Sequence, residues 1–273
     1  MPARIVVAVH PTDGRALSPP PHTGPAVSAA LLAAIRDGGL PDLADAMHNV
    51  PPPKPYALTP LLDERDRPAS PASRSVRFEV GVLADMLVAP LLGVLHDTRR
   101  IRVGQCQLAL GEPELAATQT YPVLASTATD RSGWTLTIVT PAAVATSRGE
   151  GARRLRPLPE PEWVFGSLLT RWAALAPDGL LPDNDLVTAI EQHLTVEDLR
   201  LRMAEHLVKA GQPTRRGVIG QITYRLAEAP KVPPPVRVGL DALMRFATYA
   251  GIGDRTSAGM GHVRLDHHPG EPT

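Results

Sequence analysis

The hydrophobic pattern of this chain runs through the same series of elements twice, and that duplication limits the fold more than any other feature. In the first half, Ile5, Val6, Val7 and Val9 read as a buried strand. Val27, Ala30, Leu31, Ala34 and Ile35 then follow helical spacing up to Gly38-Gly39. Tyr56, Leu58 and Leu61 suggest a short strand, and Val76, Phe78 and Val80 alternate as another. Ala84 to Leu95 predicts a helix that Pro90 kinks or delays, and Ile101 to Leu110 predicts a further strand. The second half repeats this order. Trp134, Leu136 and Ile138 alternate, and Phe165, Leu168, Leu169, Trp172 and Leu175 form a helical face. Leu199, Leu201 and Met203 suggest a strand, as do Ile222, Tyr224 and Leu226. Leu240, Leu243, Met244 and Ala247 form the last helix, and Val263 and Leu265 close the sheet. Two β-α-β-β-α-β units follow: an α+β chain of two tandem ferredoxin-like (RRM-like) domains. The boundary falls between residues 120 and 132, giving an N-terminal domain over 1–125 and a C-terminal domain over 126–273.

This fold serves many functions, RNA recognition among them. Aromatic residues make up only 4% of the chain, so base stacking on a sheet does not dominate. Recognition would run through arginine, backbone amides and shape. Lys+Arg and Asp+Glu are both 28, so attraction for a polyanion must be local. Three basic stretches can supply it: Arg99 to Arg102, Arg148 to Arg156 with Arg153 and Arg154, and Lys209 to Arg225 with Arg215 and Arg216. Cys106 is the sole cysteine, which excludes an intrachain disulfide and a cysteine-based zinc site. No His/Asp/Glu grouping has metal-ligand spacing, so neither metal nor cofactor is expected. The first residues lack the apolar core of a signal peptide. The longest apolar run, Val80 to Leu95, holds Asp85 and Pro90 and is too short to span a bilayer. The expected setting is the cytoplasm, with no membrane partner.

Chemistry concentrates in two places. Gly251-Ile-Gly-Asp-Arg-Thr-Ser-Ala-Gly-Met-Gly261 frames Asp254, Arg255, Thr256 and Ser257 with Gly251, Gly253, Gly259 and Gly261. Such a loop can present N–H groups, a guanidinium and two hydroxyls to phosphate oxygens. It ends on neither Gly-Lys-Ser nor Gly-Lys-Thr, and it runs from helix to strand, the reverse of a dinucleotide-binding turn. The second place is His48, in a loop before the proline run Pro51 to Pro53, with Lys54 six residues on. An imidazole on a braced loop suits acid–base work, and Lys54 is one of only three lysines. The plain alternative for each is a solvated surface side chain. For the loop, a further alternative is a site for a small phosphorylated ligand.

A family resemblance joins these places. Phe246-Ala-Thr-Tyr-Ala followed by Gly251 to Gly261 resembles the C-terminal glycine-rich signature of the CRISPR-associated endoribonucleases that process precursor CRISPR RNA. Pro159 to Trp172 is similar to that family's first helix of the second domain. Gly217-Val-Ile-Gly220 is similar to its Gly-Phe-x-Gly strand, and His48 with Lys54-Pro-Tyr-Ala-Leu-Thr-Pro-Leu61 resembles its His…Lys-Pro-Phe segment. The resemblance implies tandem ferredoxin-like domains and metal-independent cleavage of CRISPR repeat RNA. In that reaction the ribose 2′-OH attacks the adjacent phosphate, leaving a 2′,3′-cyclic phosphate and a 5′-OH. His48 would act as base or acid, Lys54 would stabilise charge, and the glycine loop with Arg153, Arg154, Arg215 and Arg216 would hold RNA. The tyrosine that some members carry on the first helix is missing, leaving either His22, Ser28 or Arg255 as a substitute, or a site that works with two groups. A homodimer, a place in a CRISPR effector complex, and a non-cleaving RNA-binding subunit of such a complex all stay open.

Overall fold

A computed structural model describes residues 1–12, 19, 22–148, 152–207 and 214–266; the side chains of 146–148, 152–154 and 183 lie outside the description. Contacts group the chain into two units that are not contiguous in sequence. The first comprises Met1–Gln119, His206–Arg215 and Arg255–Met260. The second comprises Thr120–Glu205, Arg216–Asp254 and Gly261–Thr273. Both are ferredoxin-like.

In the first unit, β1 (Ala3–Pro11) buries Ala3, Ile5, Val7 and Val9 on one face, as period-two alternation requires. Helix α1 (Gly24–Asp37) covers that face with Val27, Ala30, Leu31, Ala34 and Ile35. Helix α2 (Pro41–Asn49) starts on a proline, whose missing N–H costs nothing in a first turn, and buries Ala44 and Met47. Then come β2 (Tyr56–Leu58), β3 (Leu62–Asp63) and β4 (Val76–Val82). Helix α3 (Val88–Asp97) begins after a 3₁₀ turn at Asp85–Leu87. Pro90 thus lies in the first turn of α3, whose start is delayed from the expected Ala84 to Val88, and it does not break the helix. The strand expected over Ile101 to Leu110 is a hairpin instead, β5 (Arg100–Val103) and β6 (Cys106–Thr118), with Val103 paired to Cys106. The reason is Gly104, whose φ of +63° turns the chain between them. Strand order is β2-β4-β1-β6-β5, with β1 antiparallel to both neighbours (Ile5 opposite Val80 and Leu115).

The second unit opens with α4 (Tyr121–Ser126), followed by β7 (Gly133–Ala142) and a hairpin of β8 (Val144–Arg148) and β9 (Ala152–Arg156). Helix α5 (Pro161–Leu175), α6 (Asp183–Gln192), β10 (Leu194–His206), β11 (Arg215–Leu226), α7 (Pro234–Ala250) and β12 (Val263–Asp266) complete it. The order β10-β11-β7-β12 matches β2-β4-β1-β6, the same arrangement built twice. Its core is aromatic. Phe165 meets Trp134 and Tyr224 edge-on, and Trp172 does the same with Tyr121 and Phe246. The fully buried Asp241 is satisfied by Trp134 Nε1 (3.0 Å), the Thr129 amide (2.8 Å) and Arg245 Nε (2.8 Å). No described helix is long and apolar enough to cross a membrane.

Candidate active site

His48 lies in the last turn of α2 rather than in the expected loop, and its side chain is exposed, with no hydrogen bond among the described residues. Its position is fixed through its backbone. Lys54 Nζ donates to the carbonyls of Met47 (3.0 Å) and His48 (2.5 Å), closing the end of α2. An ammonium there satisfies carbonyls that have no helical partner and offsets the negative end of the helix dipole. Burial, then the charge of Arg255, lowers the Lys54 pKa below that of a free amine. The histidine and lysine that the sequence paired are therefore tied together.

The glycine-rich stretch has two parts. At the end of α7, Arg171 is buried and donates to the carbonyls of Ala250 (2.8 Å), Gly251 (2.9 Å) and Gly253. Burial lowers its pKa to about 10, which still leaves it charged at neutral pH; Asp254 acts in the opposite sense. Asp254 itself accepts from the Ala145 amide (2.8 Å), so it is a structural acid. Gly253 and Gly261 both have positive φ, and a Cβ on either would collide with a carbonyl, of Ala143 or Ile252 respectively. Most amides of the stretch are already used: Gly251, Ile252, Asp254, Ala258, Gly259, Met260 and Gly261 all donate within the protein. Those of Gly253, Arg255, Thr256 and Ser257 have no acceptor among the described residues, and Gly253 is buried. The anion cradle expected along the whole stretch narrows to this one 3₁₀ turn (Thr256–Ala258), with exposed Arg255 at its head.

This turn is built into the first unit. A Cβ on Gly259 would come within 2.8 Å of Gly24 Cα, so only glycine permits the approach of the turn to α1. The buried Tyr56 hydroxyl bonds to Ser28 on α1 and to Ser257 on the turn. Burial raises its pKa, so the phenol stays protonated. His206, at the end of β10, places Nε2 at 2.9 Å from the Ala258 carbonyl. A carbonyl only accepts, so Nε2 carries the proton. The His206 ring meets His22 edge-on, with centroids 6.1 Å apart. Nothing in the local sequence marked His206 or the Tyr56 hydroxyl. Their partners are distant in the chain, and the one available hint was a tyrosine where the resembling family has phenylalanine.

Burial lowers the His206 pKa from 6.5 to about 4, a shift the Ala258 bond opposes and His22 reinforces. Between those values the unfolded chain binds a proton that the folded chain does not. Stability from this residue is complete above pH 6.5 and falls on acidification towards pH 4, by on the order of 3 kcal/mol. Melting temperatures across that range should therefore fall more steeply for the wild type than for His206→Gln. Parallel curves would contradict this reading.

The arginines are less concentrated. Arg153 and Arg154 lie on β9, their side chains outside the described residues. Arg215 is half-buried at the start of β11. Next to it, Arg216 is exposed, 3.6 Å from Glu205, an ion pair too solvated to hold it rigidly. Among the described residues no group of three or more His, Cys, Asp or Glu could hold a metal ion.

The chain thus holds two ferredoxin-like units, and the first carries imidazole, ammonium and guanidinium groups together with the glycine-framed turn. Residues 136–263 match the family described as CRISPR-associated endoribonuclease Cas6. A Thermus thermophilus Cas6 (TTHB231), solved as a product complex, is 27% identical, with 97% of this chain and 100% of that one covered and a TM-score of 0.81. Another Cas6 (TTHA0078) product complex is 23% identical over 97% of this chain and 99% of that one, with a TM-score of 0.76. A Cas6-related protein from Pyrococcus furiosus shares the fold at 11% identity, with 98% and 100% covered and a TM-score of 0.67. No curated protein matches by sequence. Just under half of the chain thus matches the Cas6 family, and nearly all of it shares the fold of solved Cas6 structures.

Proposed function

We propose that this chain is an endoribonuclease that binds CRISPR repeat RNA and cuts it without a metal ion, releasing guide RNAs. The observation that carries this reading is the convergence in one unit of Lys54, bonded to the His48 carbonyl and electrostatically coupled to Arg255, with the amides of residues 255–257, which have no acceptor among the described residues. A phosphate held at that turn would meet two cations and fixed N–H donors, which is what a phosphorane needs. In the reaction the O2′–P bond forms as the P–O5′ bond breaks. One proton leaves O2′ and one arrives at O5′, so a base and an acid suffice and no water is consumed. His48 and His22 are the two imidazoles proposed for these transfers. His22 takes the role left open by the missing tyrosine. Arg153, Arg154, Arg215 and Arg216 are proposed to grip flanking RNA.

The test is incubation of the full chain with labelled CRISPR repeat RNA in EDTA. Undiminished cutting, with a 2′,3′-cyclic phosphate on the upstream product and a 5′-OH on the downstream one, is the expected result. Loss of activity with EDTA would refute metal independence. Tight binding without cutting would mark a non-cleaving subunit of an effector complex.

A further inference from the structure

We infer that His206 is a positioning residue of the cleavage site, holding at once the ring of His22 and the turn that carries Arg255, Thr256 and Ser257. This rests on the proposal that His22 takes part in the reaction.

His22 departs from ordinary backbone geometry, with φ at +62° two residues before α1 begins. A side chain in that region is strained and persists where its surroundings impose it. His206 is part of those surroundings. It is only 2% exposed, whereas His22 is half-buried. Gly24 fits against the same ring, since a Cβ there would stand 3.0 Å from His206 Cε1 and would collide with the Ala258 carbonyl. The start of α1, the His206 ring and the turn are thus packed in direct contact. One imidazole touches two elements: through Nε2–H it fixes the Ala258 carbonyl, and through its ring edge it limits the positions open to His22. Lys54 and Arg255, close enough to interact, supply positive charge in the same unit. His206, buried and bonded in its neutral form, supplies none. Its contribution is geometric, in a reaction where small displacements of a reacting group are costly.

Two variants separate the contacts. His206→Gln keeps an N–H donor for Ala258 and loses the ring; His206→Phe keeps a ring beside His22 and loses the donor. Single-turnover cleavage of labelled repeat RNA at saturating enzyme should be roughly 10- to 100-fold slower in each. His22→Ala should be slow, and His22→Ala combined with His206→Gln should be no slower than His22→Ala alone, because Gln keeps the Ala258 donor and removes only the ring contact through which His206 acts on His22. Wild-type rates in both His206 variants, or losses that multiply in the double variant, would overturn the proposal. A wild type that does not cut, or an undiminished His22→Ala, would instead remove the reading on which it rests. If the variants do not fold, imidazole NMR of the wild-type chain decides. A cross-peak between the two rings with His206 as the Nε2–H tautomer supports the proposal; a freely titrating His206 with no cross-peak refutes it.

Discussion

His48→Ala should cut CRISPR repeat RNA roughly 10²- to 10⁴-fold more slowly than the wild type, the range for removing one acid–base group. Folding should be undisturbed. The side chain is exposed and makes no described hydrogen bond, and substitutions at such positions change stability by about 0.5 kcal/mol or less. Affinity for uncleaved RNA should also hold, because one exposed imidazole adds little to phosphate contacts made by arginine and backbone amides. The expected signature is a lost rate constant with an intact melting temperature and binding curve. Lys54→Met should look different. Its ammonium bonds two carbonyls at the end of α2, so its loss should lower both stability and rate. An unchanged rate in His48→Ala would remove His48 from the mechanism.

Arg171→Met should destabilise the fold by about 3–5 kcal/mol, the cost of removing one side of a buried charged network. The guanidinium serves three carbonyls, of Ala250, Gly251 and Gly253, where α7 gives way to the glycine-rich stretch. Water cannot readily replace it, because Arg171 is only 9% exposed and the residues it bonds are buried. The carbonyls would be left without donors, and Asp254 would lose its nearby positive charge. At about 2–4 °C per kcal/mol, thermal unfolding should begin on the order of 10 °C lower. Arg171→Lys should recover only part of the loss, since one ammonium cannot reproduce the spread of a planar fork. A melting temperature within a degree or two of the wild type would refute the assignment.

Much of the fold was legible because its signals are local. Alternation in Ile5, Val7 and Val9 and helical spacing in Val27, Leu31 and Ile35 each follow from one element's geometry. The hairpin at Gly104 was hidden because its two strands read as one apolar run, and a single positive φ divides them. Helix α6 was hidden because only Leu186, Ala189 and Ile190 mark its buried face.

The candidate site divides along the same line. His48, Lys54 and the glycine-rich stretch announce themselves by residue type and spacing, and the stretch also carries the family resemblance. The sequence therefore determined a duplicated α+β chain and raised the expectation of RNA-processing chemistry. It did not contain the roles of Arg171, Tyr56 and His206, or the division of the glycine-rich stretch between a packed helix end and a turn set against α1. Those depend on partners 79, 52 and more residues away. Burial and hydrogen bonding across such distances exist only once the chain has closed on itself, so three-dimensional packing alone turned a glycine pattern into one short turn braced by buried rings.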